Sequence, residues 1–131
     1  MDAARKRLGG REESDPGAGD LVAFEADRLG VVLFVRGDDL EVWIADGLVR
    51  SIRRSATRAA DAVVSAELAA VADAARAFAQ LAEGEPVRFR DDVRGGTGRL
   101  VEKCRFGGLI ERADGSIVAV GFRRISAAET N

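Results

Sequence analysis

The sequence contains no histidine and no tyrosine, and Cys104 is the only cysteine among 131 residues. A catalytic triad needs an imidazole, and a zinc site needs several cysteine or histidine ligands, so both are excluded within this chain. A lone cysteine also leaves no internal disulfide, which fits a reducing compartment. We therefore expect a non-enzymatic protein that holds no metal and no cofactor.

Long hydrophobic runs and a strong net charge are also missing. The longest apolar run, VVLFV at residues 31–35, is far too short to span a bilayer, and the first twenty residues lack the apolar stretch of a secretory signal. The formal net charge is only -2, so no chain-wide basic field indicates a nucleic-acid binder. These absences predict a soluble, cytoplasmic protein with no membrane partner.

The sequence does contain an internal repeat. GDLVAF at residues 19–24 reappears as GEPVRF at residues 84–89. Further matches follow in the same order: Gly30-Val31-Val32 with Gly98-Arg99-Leu100, Arg36-Gly37-Asp38-Asp39 with Arg105-Phe106-Gly107-Gly108, Asp46-Gly47 with Asp114-Gly115, and Arg53-Arg54 with Arg123-Arg124. Ordered matches of this kind indicate a duplicated structural unit.

Each unit is rich in β-branched and aromatic residues between turn signals, which predicts short antiparallel strands. The predicted strands are residues 21–25, 31–35, 40–44 and 48–52 in the first unit, and 86–90, 99–104, 109–111 and 117–122 in the second. Four or five short strands in so few residues are typical of a small SH3-like barrel. The fold class is therefore mainly β with one helix.

The alanine-rich stretch between the units predicts an amphipathic helix. Its apolar stripe consists of Val64, Leu68, Val71, Ala75 and Phe78, with Ser55 or Thr57 as the cap and Gly84 and Pro86 as the stop. The predicted organisation is a disordered arm at residues 1–18, a first barrel at 19–55, a connecting helix at 56–83, a second barrel at 84–126 and a tail at 127–131. The helix stripe has nearly heptad spacing, so a monomer and a homodimer formed through the helix both remain open.

The first barrel has apolar side chains outside its own core. Leu40 and Val42 share one strand face, which leaves Trp43 on the other, and alternation places Val32 and Phe34 with Trp43. Packing under the helix would bury these side chains. Trp43 therefore has two interpretations: a residue buried beneath the helix, or an exposed anchor for a partner.

Charge differs between the repeats, because the first unit is acidic and the second is basic. Arg88 and Arg90 alternate with Val87 and Phe89, so they share an outer face where their guanidinium groups could bind phosphate or carboxylate. The alternative is that they only solvate this face or pair with the acidic first barrel. The candidate partner-binding residues are Trp43, Arg88, Arg90, Arg94, Arg99, Lys103, Arg105, Arg123 and Arg124.

Three other patterns are candidates for sites. The glycine-rich segment at residues 95–98 lacks the Gly-Lys-Ser/Thr ending and the following helix of a P-loop, which favours a mobile hairpin. Arg50 and Arg54 resemble the arginine motif of PilZ domains, which implies a nucleotide sensor, but the partner pattern of that family fails after Ser116. Cys104 lies between two basic residues, which would lower the pKa of an exposed thiol, but it is interpreted as a small core residue of a strand.

The strand pattern, the hairpins and the duplication around a helix resemble Tudor, KOW and other SH3-like barrels. The pairing is similar to the tandem Tudor-like amino-terminal region of a bacterial RNA-polymerase-associated helicase. This resemblance implies an adaptor that binds a protein partner, such as RNA polymerase or a transcription factor, through a sheet edge or the Trp43 surface. Nucleic-acid binding through the basic second barrel is the alternative. A methyl-lysine cage, which needs several aromatic rings around the cation, is excluded because the chain has no tyrosine and its phenylalanine and tryptophan residues fall mostly at core-like positions.

Overall fold

The computed structural model describes residues 5–8, for which only the backbone is considered, and residues 16–45, 48–90, 95–104 and 107–128. The described chain is mainly β with one α-helix, as the sequence predicts. It divides into two compact units, Met1–Arg76 and Ala77–Asn131, each of which contains a five-stranded antiparallel sheet.

Sheet 1, in the first unit, consists of β2 (Leu21–Phe24), β3 (Arg28–Arg36), β4 (Asp39–Ala45), β5 (Leu48–Arg53) and β6 (Thr57–Ala59), in the order β5-β4-β3-β2-β6. Sheet 2, in the second unit, consists of β8 (Pro86–Arg90), β9 (Gly95–Cys104), β10 (Gly107–Arg112), β11 (Ile117–Gly121) and β12 (Ile125–Ala127), in the order β11-β10-β9-β8-β12. In both units a single 3₁₀ turn joins the fourth strand to the fifth. The two sheets therefore have the same topology.

The turn before each sheet repeats in atomic detail. Gly19 and Gly84 both have positive φ, at 89° and 96°, a conformation that glycine adopts without the penalty of a side chain. The amide of Gly19 donates to the Val32 carbonyl at 2.7 Å, and that of Gly84 donates to the Leu100 carbonyl at 2.6 Å. The Asp20 and Glu85 carboxylates accept from the amides of Gly17 and Ala82, at 2.8 and 2.6 Å. These matched contacts show that the turns before the two sheets are structurally equivalent.

The last matched pair, Arg53-Arg54 with Arg123-Arg124, is not equivalent in the structure. Arg54 begins the first 3₁₀ turn, whereas Arg124 ends the second, which begins at Phe122. The Arg-Arg pair therefore sits two residues later relative to the start of the turn in the second unit than in the first. The sequence does not reveal this shift, because an Arg-Arg pair occurs near both turns. The matched positions Asp46-Gly47 and Arg105-Phe106 lie outside the described residues.

The helix is shorter than predicted. α1 covers Ala66–Ala79, and β6 and the following strand β7 (Ala62–Ser65) occupy residues that the sequence assigns to its first turns. Ser65 caps the helix, since its Oγ accepts a hydrogen bond from the Leu68 amide at 3.1 Å. The predicted cap at Ser55 or Thr57 is therefore wrong. The β-branched residues of this stretch favour extended backbone, and β6 completes the pairing of β2.

The amino-terminal arm is not wholly unstructured. β1 (Arg5–Leu8) pairs antiparallel with β7, from Arg5 opposite Ser65 to Leu8 opposite Ala62. The prediction of disorder over residues 1–18 is wrong for this segment. A four-residue basic segment has no periodicity that predicts a strand. It is ordered here because it pairs with β7, which is distant in sequence.

The inner face of sheet 1 forms a compact core. As predicted, Leu40 and Val42 lie together on this face, with Ile44 packed against them. Val32 also belongs to this core, opposite Val42, so its predicted place beside Phe34 is wrong. A β-bulge between Val32 and Phe34 changes the alternation of the strand, which sequence periodicity alone does not reveal. The members of the core are Val22, Phe24, Val32, Leu40, Val42 and Ile52.

The outer face of sheet 1 is buried as well. Strand register places Leu21, Val31 and Trp43 side by side across three strands, and all three are buried. α1 contacts this unit beside β2, where Arg76 Nη2 donates to the Gly19 carbonyl at 3.1 Å. The buried helix residues of the same unit are Ala69, Val71, Ala72 and Ala75. Apolar residues are therefore buried on both faces of sheet 1, and α1 contacts the turn before β2.

Candidate functional site on sheet 2

The same face is open in sheet 2. The equivalents of Leu21, Val31 and Trp43 are Pro86, Arg99 and Glu111, which register aligns across β8, β9 and β10. Pro86 and Arg99 are exposed and Glu111 is half-buried. On the inner face, by contrast, apolar residues are buried in both units: Val22 and Val87, Phe24 and Phe89, Val32 and Leu100, Val42 and Ile110. The two copies share a core and differ in their outer surface.

Arg88 and Arg90 form the basic corner of this outer face, together with Thr97 and Ser126. Arg88 lies opposite Thr97 on β9 and opposite Ser126 on β12, and all four side chains are exposed. Residues two apart on a strand are separated by about 6.6–6.8 Å and point to the same side. Within the described part of their unit, the two guanidinium groups make no hydrogen bond or ion pair. The corner therefore presents two uncompensated positive charges beside two hydroxyl groups.

Arg99 and Glu111 form an ion pair next to the basic corner. Arg99 Nη2 lies 2.6 Å from Glu111 Oε1. The arginine side chain is well exposed, so the pair contributes no more than about 1 kcal/mol to stability. Arg99, a predicted partner-binding residue, lies on the same face as Arg88 and Arg90, but its charge is largely neutralised by Glu111.

Apolar side chains occupy the other half of the face. Leu109 lies opposite Ala119, and Ile117 lies opposite Glu111, so all of them share the outer side of β10 and β11. Ile117 is 52% exposed, which is high for a residue of its size. We call Leu109, Ile117 and Ala119 the apolar half. The sequence alone does not reveal this group, because the register of β10 against β11 decides which side chains face outward.

Lys103 does not belong to this surface. Its Nζ donates to the Leu81 carbonyl at 2.8 Å and to the Ala79 carbonyl at 3.5 Å, just past the end of α1. The ammonium also lies 4.8 Å from the centre of the Phe78 ring. Burial lowers the pKa of Lys103, although the nearby carboxylates of Glu83 and Glu85 oppose the shift. Its assignment as a partner-binding residue is therefore corrected to a structural contact at the helix end.

The remaining basic candidates do not join the corner. Arg123 and Arg124 are exposed on the second 3₁₀ turn, after β11, and both already make contacts within the chain. Arg94 and Arg105 lie outside the described residues. The structure thus brings together Arg88, Arg90 and Arg99 from the predicted set.

Trp43 is not an exposed anchor. Only 7% of the residue is accessible, and its neighbours across the strands are Val31 and Val49. This burial contradicts the interpretation of Trp43 as an exposed partner-binding residue and confirms only that the side chain is buried. Because the indole is buried, it is not accessible to a partner on the surface of the first unit.

The glycine-rich segment is part of a strand. Residues 95–98 open β9, where Gly95 and Gly96 pair with Arg90 and Phe89, so they are strand residues of the β8–β9 hairpin rather than its loop. A Cβ on Gly98 would lie 2.5 Å from the Glu111 carbonyl oxygen. Close approach of β9 to β10 is thus the physical reason for glycine there.

The arginines of the PilZ-like pattern are engaged by the first unit. Arg50 Nη2 donates to Glu25 Oε2 at 3.1 Å, and its guanidinium lies 5.6 Å from the Phe24 ring centre. Arg54 Nη2 donates to the Gly37 carbonyl at 3.1 Å. The hydrogen bond to Arg50 lowers the pKa of Glu25, and Arg28 adds a second, smaller contribution. These contacts give the arginines structural partners rather than a free ligand site.

Cys104 has no feature of a reactive thiol. The residue is partly buried, and burial, together with the charges of Glu102 and Glu83, raises its thiol pKa.

Among the described residues, no group of three acidic, cysteine or histidine side chains is arranged to hold a metal ion.

Comparison with protein-family models and with curated proteins finds no match to this sequence. In the described part of the chain, α1 falls short of the length and apolarity that a membrane-crossing helix requires.

Proposed function

We propose that the chain is a non-enzymatic binding module that engages an acidic protein partner through the outer face of sheet 2. One observation carries the proposal: two copies of the same sheet bury this face in the first unit and leave it open in the second. Sheet 1 has Leu21 and Ala23, both buried, at the positions where sheet 2 has Pro86 and Arg88, both exposed. Arginine is enriched at protein–protein interfaces. Because Arg88 and Arg90 form no ion pair within the described part of their unit, they favour a partner of opposite charge.

The spacing of the basic corner suits a protein partner. Arg88 and Arg90 project in parallel about 6.6–6.8 Å apart, and each guanidinium can hold a carboxylate through two hydrogen bonds. Carboxylates two residues apart on an extended segment, or one turn apart on a helix, have a comparable separation. The resemblance to tandem Tudor-like regions makes the transcription machinery of a bacterial cytoplasm our proposed source of that partner.

A nucleic-acid backbone is the second candidate, favoured by the hydroxyl groups of Thr97 and Ser126 on either side of Arg88. Arginine with neighbouring hydroxyls is a frequent set of phosphate contacts. Aromatic platforms for stacking bases are missing from the described part of this face, which weakens the candidate. If two or three phosphates are neutralised, affinity should fall about 10- to 40-fold between 50 and 200 mM salt.

Capture from native lysate tests the proposal, with the full chain as bait and each sample divided into nuclease-treated and untreated halves. We expect a protein partner that survives nuclease treatment and is lost with the double variant Arg88→Ala/Arg90→Ala. The matched control is Arg36→Ala/Arg53→Ala, which removes the same charge from exposed positions of the first unit. Far-UV circular dichroism of each variant verifies the fold.

The outcomes separate the candidates. Loss of all captured material after nuclease treatment would favour the phosphate backbone and contradict a protein partner. Equal capture by Arg88→Ala/Arg90→Ala and by the wild-type chain would show that the basic corner is only a solvated face.

A further inference from the structure

We propose that the outer face of sheet 2 docks an acidic amphipathic helix of a partner protein, lying lengthwise along the strands. This inference rests on the proposed function and adds the shape of the partner to its charge. The face is divided: the basic corner lies over β8 and β9, and the apolar half lies over β10 and β11. The Arg99–Glu111 ion pair separates the two regions.

The dimensions of the face favour a helix. Neighbouring strands lie about 4.7–4.9 Å apart, so the distance from β8 to β11 is about 14–15 Å. A helix with its side chains is about 10–12 Å wide. One helix can therefore place its apolar stripe on Leu109 and Ile117 while one flank reaches Arg88 and Arg90. A single extended strand would cover only one of the two regions.

The first unit provides an internal comparison. The centre of its equivalent face consists of the buried Leu21, Val31 and Trp43, and Arg76 of α1 donates to the Gly19 carbonyl in the turn before β2. Sheet 2 has the same topology, yet Ile117 and Arg88 remain exposed on the corresponding face. The two copies of the fold thus differ at the centre of this face, where the buried Leu21, Val31 and Trp43 of the first unit correspond to Pro86, Arg99 and Glu111 in the second.

Charge complementarity fixes the orientation of the partner. The unpaired charges of Arg88 and Arg90 attract carboxylates on one flank of the helix. Glu102 on β9 is the cross-strand neighbour of Leu109 on β10, so both side chains lie on the outer face. The exposed carboxylate of Glu102 repels an acidic flank at this position. The acidic flank must therefore face β8, and the apolar stripe must face β10 and β11.

A synthetic helix tests the proposal directly. The probe is a labelled 21-residue peptide of alanine, leucine and glutamate, with leucine along one stripe and glutamate along an adjacent flank. Binding to the full chain is followed by fluorescence anisotropy and by amide chemical shifts. The control peptides are a scrambled version of the same composition, in which leucine and glutamate no longer segregate, and a version with lysine in place of glutamate.

Variants locate the contact. Arg88→Ala/Arg90→Ala should weaken binding of the probe about 5- to 30-fold, as expected for the loss of two exposed ion pairs. Ile117→Ser should weaken it about fivefold through lost apolar contact. Val35→Ser is the matched control, because Val35 is 39% exposed in the first unit, and it should leave affinity unchanged. Ile117→Ala provides a second test if the serine variant alters the circular dichroism spectrum.

Several results would overturn the proposal. Equal binding of the scrambled peptide, or of a leucine-free glutamate peptide, would show that the apolar half takes no part; the proposed function would then survive through charge alone. Binding of the probe outside β8–β11, judged from the shifts, would refute the site. If a short single-stranded RNA displaces the probe at 150 mM salt and binds more tightly, the occupant is nucleic acid and both proposals fail.

Discussion

Replacement of the buried tryptophan provides a sharp test of how the first unit is packed. A tryptophan side chain buries about 150–250 Å², and at about 25 cal/mol per Å² this burial contributes about 4–6 kcal/mol. Core substitutions of large aromatics by alanine cost about 3–5 kcal/mol. Because Trp43 is only 7% accessible, we expect Trp43→Ala to lower the free energy of unfolding by about 4 kcal/mol.

Urea unfolding followed by far-UV circular dichroism measures this loss. With a slope of about 2 kcal/mol/M, typical of small proteins, the midpoint should fall by about 2 M. The chain has a single tryptophan, so fluorescence of the wild-type protein reports Trp43 alone. Iodide should quench this fluorescence weakly in the folded chain and strongly in urea.

Phe34→Ala serves as the control, since Phe34 is a partly buried aromatic of the same strand pair. It should cost clearly less than Trp43→Ala. A loss below about 1 kcal/mol for Trp43→Ala, with strong iodide quenching in the folded state, would refute the packing argument and restore the exposed-anchor interpretation.

Three further predictions concern the turns and the ionisable groups. Gly84→Ala should cost about 1–2 kcal/mol in urea unfolding, because Gly84 has a φ of 96° that alanine rarely adopts. The Arg50→Gln variant should raise the pKa of Glu25 in an NMR titration, because Arg50 lowers this pKa in the wild-type chain. The stability that the wild-type Glu25 carboxylate contributes is therefore present at neutral pH and is lost as pH falls below the ordinary glutamate range. Cys104 should react with iodoacetamide more slowly in the folded chain than in urea at pH 8, because burial raises the pKa of the thiol and keeps it protonated. Since the unfolded thiol ionises first, the raised pKa also lowers the stability of the folded chain as pH rises above the ordinary thiol range.

Each of these predictions has its own control. Gly17→Ala should be tolerated better than Gly84→Ala, since a Cβ on Gly17 meets nothing within 4 Å and its φ lies outside the positive range. An unchanged Glu25 pKa after Arg50→Gln would show that the ion pair is not formed in solution. Equal alkylation rates for the folded and unfolded chains would contradict the burial of Cys104.

The strands and the duplication were predictable because their signals are local. Alternating β-branched residues and glycine turns mark β2 to β5 and β8 to β11, and the repeated hexapeptide marks the start of each sheet. β6 and β12 were not predictable as separate elements, since three residues carry little periodicity. Their pairing with β2 and β8 is decided by the sheet as a whole.

The basic corner was predictable in part for the same reason. Alternation along β8 places Arg88 and Arg90 on one face without any knowledge of the neighbouring strands. The position of Thr97, the pairing of Arg99 with Glu111 and the apolar half all depend on register between strands. Lys103 was misassigned because a bulge in β9, between the partners of Leu109 and Ile110, changes which side chains face outward beyond it.

The contact between Lys103 and the end of α1 determines where the chain can be divided. Phe78 and Leu81 are buried, and the Leu81 carbonyl receives the Lys103 ammonium, although both residues precede the repeated hexapeptide. An expression fragment that starts at Gly84 would therefore discard part of its own core and leave a lysine without its acceptor. A fragment intended to report on the basic corner in isolation must begin upstream of Phe78, inside the helix.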